Sequence, residues 1–90
     1  FILACNKGHK AVVQLLLENS NIDLKARDNQ GNTAFMIACK LGHKDVVQLL
    51  LDHSERIELN ARNNYGETAL FFALIYGHED IIKLFLEHPD

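Results

Sequence analysis

Five histidines, two cysteines and twelve carboxylate side chains in 90 residues are the groups that could do chemistry. His9, His43 and His78 each follow a glycine and recur at steps of 34 and 35 residues, so they line one edge of whatever repeats with them. A row of imidazoles could hold a metal. Equivalent positions on packed neighbouring helices lie ~8 to 10 Å apart, however, whereas each ligand of one zinc must come within ~2.1 Å of it, and no carboxylate recurs as a third ligand. These histidines are therefore expected to hold the turn between two helices by hydrogen bonds, with no metal. His53 and His88, which match Asn19 in register, are expected at helix C-termini facing free carbonyls. Cys5 and Cys39 share one small-residue position, so their Cα atoms should also lie ~8 to 10 Å apart, beyond the ~7 Å that a disulfide spans. Buried free thiols follow. Neither "ACNKG" nor "ACKLG" offers an oriented base, no glycine-rich phosphate loop follows a strand, and the carboxylates fall in loops or at helix ends. Neither catalysis nor a cofactor is expected.

Charge and hydropathy exclude further classes. Nine basic against twelve acidic residues leave a net charge of -3, without the basic footprint that phosphate backbones or anionic membranes attract. No nucleic-acid partner is expected. The longest apolar run, "ALFFALIY" at 69 to 76, falls far short of the ~20 residues of a membrane helix, and the N-terminus lacks the basic region of a signal peptide. The sequence predicts no membrane insertion and an intracellular setting, cytoplasmic or nuclear.

The elements that position these groups are written three times over. "ACNKGHKAVVQLLLENS" at 4 to 20 returns as "ACKLGHKDVVQLLLDHS" at 38 to 54 and more loosely as "ALIYGHEDIIKLFLEHP" at 73 to 89. A fixed period in this range predicts a solenoid. Between them, "IDLKARDNQG" at 22 to 31 is matched 35 residues on by "IELNARNNYG", so the one extra residue falls between Leu51 and Ile57. A helix would turn its apolar face by ~100° to take it, so the insertion marks a loop. Phe35, Ala38, Cys39 and Leu41 follow Thr33 at helical spacing and stop at Gly42, which predicts a helix of about two turns with a hydroxyl cap and a left-handed end. A second helix restarts after His43, and its Val46, Val47, Leu49, Leu50 and Leu51 cover more than one face, so neighbours must bury it. "RDNQG" and "RNNYG" then read as turns able to build a projecting hairpin loop.

The string Gly31-x-Thr33-Ala34-Phe35-x-x-Ala38-x-x-x-Gly42-His43-x-x-Val46-Val47-x-Leu49-Leu50-Leu51, followed by Leu59-Asn60-Ala61, closely resembles the ankyrin repeat. The resemblance covers essentially the whole chain. It divides into a partial repeat at 1–27, a complete one at 28–62 and a partial one at 63–90, a single domain that reads as an excerpt of a longer array. It implies an all-α solenoid of stacked antiparallel helix pairs with projecting hairpin loops, no enzyme activity, and a scaffold that binds other proteins. The family's Thr-Pro-Leu-His appears here as Thr33-Ala34-Phe35-Met36 and Thr68-Ala69-Leu70-Phe71, so the proline and the histidine partner of the threonine are missing. Ser20 and Ser54 stand where the family commonly places a glycine. Two other classes stay open: a positioning or regulatory segment of a larger enzyme or channel, and a substrate of an asparaginyl hydroxylase, because Asn60 matches the hairpin asparagine that such enzymes modify.

Recognition should fall to positions that differ between repeats. Asn29, Gln30 and Asn32 correspond to Asn64, Tyr65 and Glu67 on the loops, while Asn6 and Lys7 correspond to Lys40 and Leu41, then to Ile75 and Tyr76, on the first helices. The sequence predicts a partner protein docked on this concave face, centred on Tyr65, Leu41, Ile75 and Tyr76 and rimmed by Asn32, Lys40, Asn64 and Glu67. Leu41, Ile75 and Tyr76 have a second reading, as filling between helix and hairpin or as cover for a further repeat. The chain itself is expected to be a monomeric part of a longer polypeptide.

Overall fold

The computed structural model describes residues 1–19 and 21–88. Among them are six α-helices in three antiparallel pairs: α1 (Ile2–Lys7) with α2 (Lys10–Leu17), α3 (Ala34–Leu41) with α4 (Lys44–Leu51), and α5 (Ala69–Ile75) with α6 (Glu79–Glu87). The first helices stack as α1 on α3 on α5, and the second helices as α2 on α4 on α6. Each helix has six to nine residues, at most about two and a half turns, too short to be stable alone in water, so the stacking supplies its stability. No described helix is long and apolar enough to cross a membrane.

Local signals set the ends of each pair. Thr33 Oγ1 accepts the amide of Met36 at 3.2 Å and Thr68 Oγ1 that of Phe71 at 3.1 Å, so both threonines cap their helices without the family's proline or histidine. Gly42 ends α3 at φ 77°, a left-handed backbone that residues with a Cβ enter at a cost. The additional residue between Leu51 and Ile57 is taken up by a 3₁₀ turn, Ser54–Arg56, as an insertion at a loop requires. That turn does more than absorb length. Arg56 reaches back one repeat and donates to the carbonyl of Leu17 at 2.8 Å, an acceptor that the end of α2 leaves open, and to that of Asn19 at 3.2 Å just beyond it.

The core is one continuous cluster running through all three pairs. Val46, Val47 and Leu50 of α4 are fully buried, as are Ala38 and Cys39 of α3, while Phe35 meets Phe85 of the last helix at 5.8 Å between ring centroids. Cys5 and Cys39 lie in this cluster as free thiols. Burial pushes the Cys5 thiol up to about 12, offset in part by the nearby N-terminal charge, and burial pushes Cys39 higher still. The thiolate is the reactive form, so both should resist alkylation in the folded protein. In native buffer a maleimide is expected to leave both unlabelled over a time in which a denatured sample takes up two labels; rapid native labelling of Cys39 would contradict the packed stack.

Candidate protein-binding surface

The loops between helix pairs are built around one side chain each. Asp28 Oδ1 accepts the amides of Gln30 and Asn32, both at 2.9 Å, and Asn63 Oδ1 accepts those of Tyr65 and Glu67 at the same distance. Backbone bonds from Asp28 to Asn32 and from Asn63 to Glu67 close each turn. Short polar side chains at these positions replace strand pairing with their own hydrogen bonds, which is why Asp and Asn recur there. The two loops are then tied to each other: the Asn64 amide donates to Gln30 O at 3.0 Å and Asn64 Nδ2 to Asn29 O at 3.2 Å. Arg27 adds a bond to Arg62 O and an ion pair with Glu58 at 3.9 Å.

Asn32 corrects the sequence reading. It is buried rather than on the rim, accepting a 2.8 Å bond from Asn63 Nδ2, which also donates to Glu67 Oε1 at 3.0 Å. A buried amide must be paired, so Asn32 joins the loops internally and offers nothing to a partner. Glu67 is half-buried and partly committed to the same network. Asn29, Gln30 and Asn64 stay exposed at the tips, and Tyr65 projects beyond them with 71% of its surface in solvent.

A second group forms at the far end of the first helices. Tyr76 stacks against Phe72 at 6.4 Å and against His78 at 6.3 Å, and Lys40 Nζ lies 5.5 Å from the centroid of the Phe72 ring. Ile75 and Tyr76 keep more than half of their surface in solvent and Leu41 somewhat less than half, so all three remain accessible beside the hairpins. Tyr65 precedes α5 and Tyr76 follows it. The proposed centre thus falls into two patches flanking the two ends of α5, a seven-residue helix about 10 Å long. Asn60 sits exposed in the turn before Asn63.

The histidines hold more than their own turns. His43 Nε2 bonds Asn6 O and His78 Nε2 bonds Lys40 O, each at 2.9 Å, so each imidazole ties its repeat to the one before. A glycine makes room: a methyl group at Gly8 would stand 2.6 Å from His43 Nδ1, and one at Gly42 2.7 Å from His78 Cε1. The recurring Gly-His pair is visible in sequence, but its use across repeats is not. His53 Nδ1 meets Leu49 O at 2.9 Å near the end of α4, as its position predicted.

No curated protein sequence matches the chain. A solved structure described as "Bd0816 Predatory Endopeptidase from Bdellovibrio bacteriovorus in complex with immunity protein Bd3460" contains a chain similar to this one, with 35% identity and a TM-score of 0.84. The similarity covers 98% of this chain and 45% of that one, so the 90 residues span less than half of the matched protein. The family model for ankyrin repeats (3 copies) matches residues 1–90 throughout, in agreement with the three stacked helix pairs and their Gly-His turns. On that match, the chain belongs to the ankyrin repeat family.

Proposed function

We propose that this chain binds a partner protein through the face formed by its loop tips and first helices, with Tyr65 as the principal anchor and Tyr76 as the second. Ankyrin repeats act as protein-protein interaction modules, and the similar solved structure is a complex between proteins. The observation that carries the assignment is the setting of Tyr65: an exposed aromatic ring on a loop whose backbone is already fixed by Asn63 and by the neighbouring loop. Ordering a loop on binding opposes association, and a prebuilt loop has made that sacrifice during folding. A tyrosine adds large contact area with only two side-chain torsions to restrict. The equivalent position in the preceding repeat is Gln30, so folding of the loop does not demand an aromatic.

The assignment is tested with alanine variants against a partner recovered by affinity pull-down and measured by calorimetry. Tyr65→Ala is expected to weaken binding by at least about 30-fold, the equivalent of about 2 kcal/mol for an anchor residue. Glu67→Ala should change affinity less and mainly alter its salt dependence. If Tyr65→Ala and Tyr76→Ala bind normally while Lys44→Ala or Gln48→Ala on the second helix abolish binding, the partner sits on the opposite face.

A further inference from the structure

The two loops use the same two positions with opposite chemistry. The first holds a carboxylate at Asp28 and an amide four residues on at Asn32, whereas the second holds an amide at Asn63 and a carboxylate at Glu67. Either group can cap the turn, because that task asks only for an oxygen: Asp28 and Asn63 each accept two backbone amides through Oδ1. What Asn63 adds is a pair of side-chain N–H donors. Both are used, one reaching back to Asn32 Oδ1 at 2.8 Å and the other going to Glu67 Oε1 at 3.0 Å.

With the Tyr65 and Glu67 amides on its oxygen, the Asn63 side chain makes four hydrogen bonds, all that a primary amide can form. It makes them while only 8% exposed, against an Asn32 that is 4% exposed, where an unpaired polar group is costly. Asn32 Nδ2 carries the chain on to Gln30 Oε1 at 3.4 Å, at the tip of the first loop. Gly31 lets the loops approach this closely: a methyl group there would stand 2.5 Å from Asn64 Oδ1 and 2.8 Å from Asn64 N. A carboxylate at position 63 would cap the turn equally well, but it would set an oxygen against Glu67 and Asn32, both of which act there as acceptors. The amide is therefore specified by the joint between the loops and not by the turn.

We propose that Asn63 is the positioning residue of the binding surface: its side-chain amide fixes the Tyr65 loop to the Gln30 loop, so that a partner meets both tips as one rigid unit. The inference rests on the reading of the loop tips as the docking surface, and adds that the tips act together through a residue that itself touches no partner. Gln30, Tyr65 and Glu67, all assigned to that surface, each hold one end of a bond in this network. A fully paired buried network keeps its members in one arrangement. Tips released from it would have to be ordered at the moment of binding, which opposes association.

The test is a double-substitution cycle of Asn63→Asp, Glu67→Gln and the two combined, read by residue-resolved hydrogen exchange in NMR and by affinity for the same recovered partner as Tyr65→Ala. In Asn63→Asp the Asn64 amide, which bonds Gln30 O between the loops, is expected to exchange at least about tenfold faster. The Tyr65 and Glu67 amides should keep their protection, since a carboxylate still accepts them, and those of α4 should be unaffected. Affinity should fall by about fivefold or more. With Glu67→Gln already in place, position 67 offers a donor and the loop carries the acid-then-amide order of the first one. Asn63→Asp should then leave both readings within about twofold of Glu67→Gln alone. The inference is overturned if Asn63→Asp leaves the Asn64 amide protected, if it costs the same with and without Glu67→Gln, or if it frees the loop without weakening binding. Tyr65→Ala separates these failures from that of the underlying reading. When Tyr65→Ala weakens binding and Asn63→Asp does not, the surface stands and only the positioning role falls; when Tyr65→Ala binds normally, the surface falls and the positioning role with it.

Discussion

Leu50→Ala is expected to lower the unfolding free energy by about 2 to 5 kcal/mol, the range for emptying a fully packed leucine site. Typical domains are held by only about 5 to 15 kcal/mol, so much of the fold would be lost under mild denaturant. Leu50 is fully buried in α4, which packs on α2, α3 and α6. Damage there loosens both faces of the central repeat, and in a repeat array the interfaces between neighbours carry the cooperativity. Glu55→Ala, on the exposed 3₁₀ turn, should stay within about 0.5 kcal/mol of wild type. Urea unfolding followed by circular dichroism decides it: if the two substitutions prove equally mild, the second helices do not form a shared core.

The second large effect is expected at Gly42. Placing a Cβ there carries the left-handed penalty of about 1 to 2 kcal/mol. It also drives a methyl group into the His78 ring, whose bond to Lys40 O must then lengthen or break. Losing a hydrogen bond of this kind adds about 0.5 to 1.5 kcal/mol, and displacing the ring adds repacking strain. Gly42→Ala should thus destabilise by about 2 to 4 kcal/mol. Gly77→Ala is the control, because it shares the left-handed backbone at φ 68° but meets nothing within 4 Å. It should cost only the backbone share. Equal losses at the two glycines would show that the histidine contact contributes nothing to holding the repeats together.

What could be read from the sequence and what could not divides at the boundary between repeats. The helix ends at Thr33, Gly42 and Thr68, the loop that absorbs the extra residue, the burial of Leu50 and Cys39, and the exposure of Tyr65 all follow from short-range pattern. A cap, a stop or an apolar stripe is decided by residues within one turn, and a three-fold copy averages out accidental matches. The sequence determined an all-α ankyrin stack. Only the tertiary structure decided which polar residues stay exposed and which tie the stack together. Asn32 and Gln30 are near neighbours in one polar loop, yet Asn32 is buried against Asn63 and Gln30 is exposed. Arg56 lies in a loop, yet its guanidinium bonds the Leu17 and Asn19 carbonyls at the end of the preceding repeat. His43 and His78 were placed in their own turns, but each bonds across to the repeat before. Those choices depend on partners 31 to 39 residues away. The side chain's own surroundings in sequence cannot encode them, because the period says that a neighbour exists but not which of its backbone atoms will be left unsatisfied within reach.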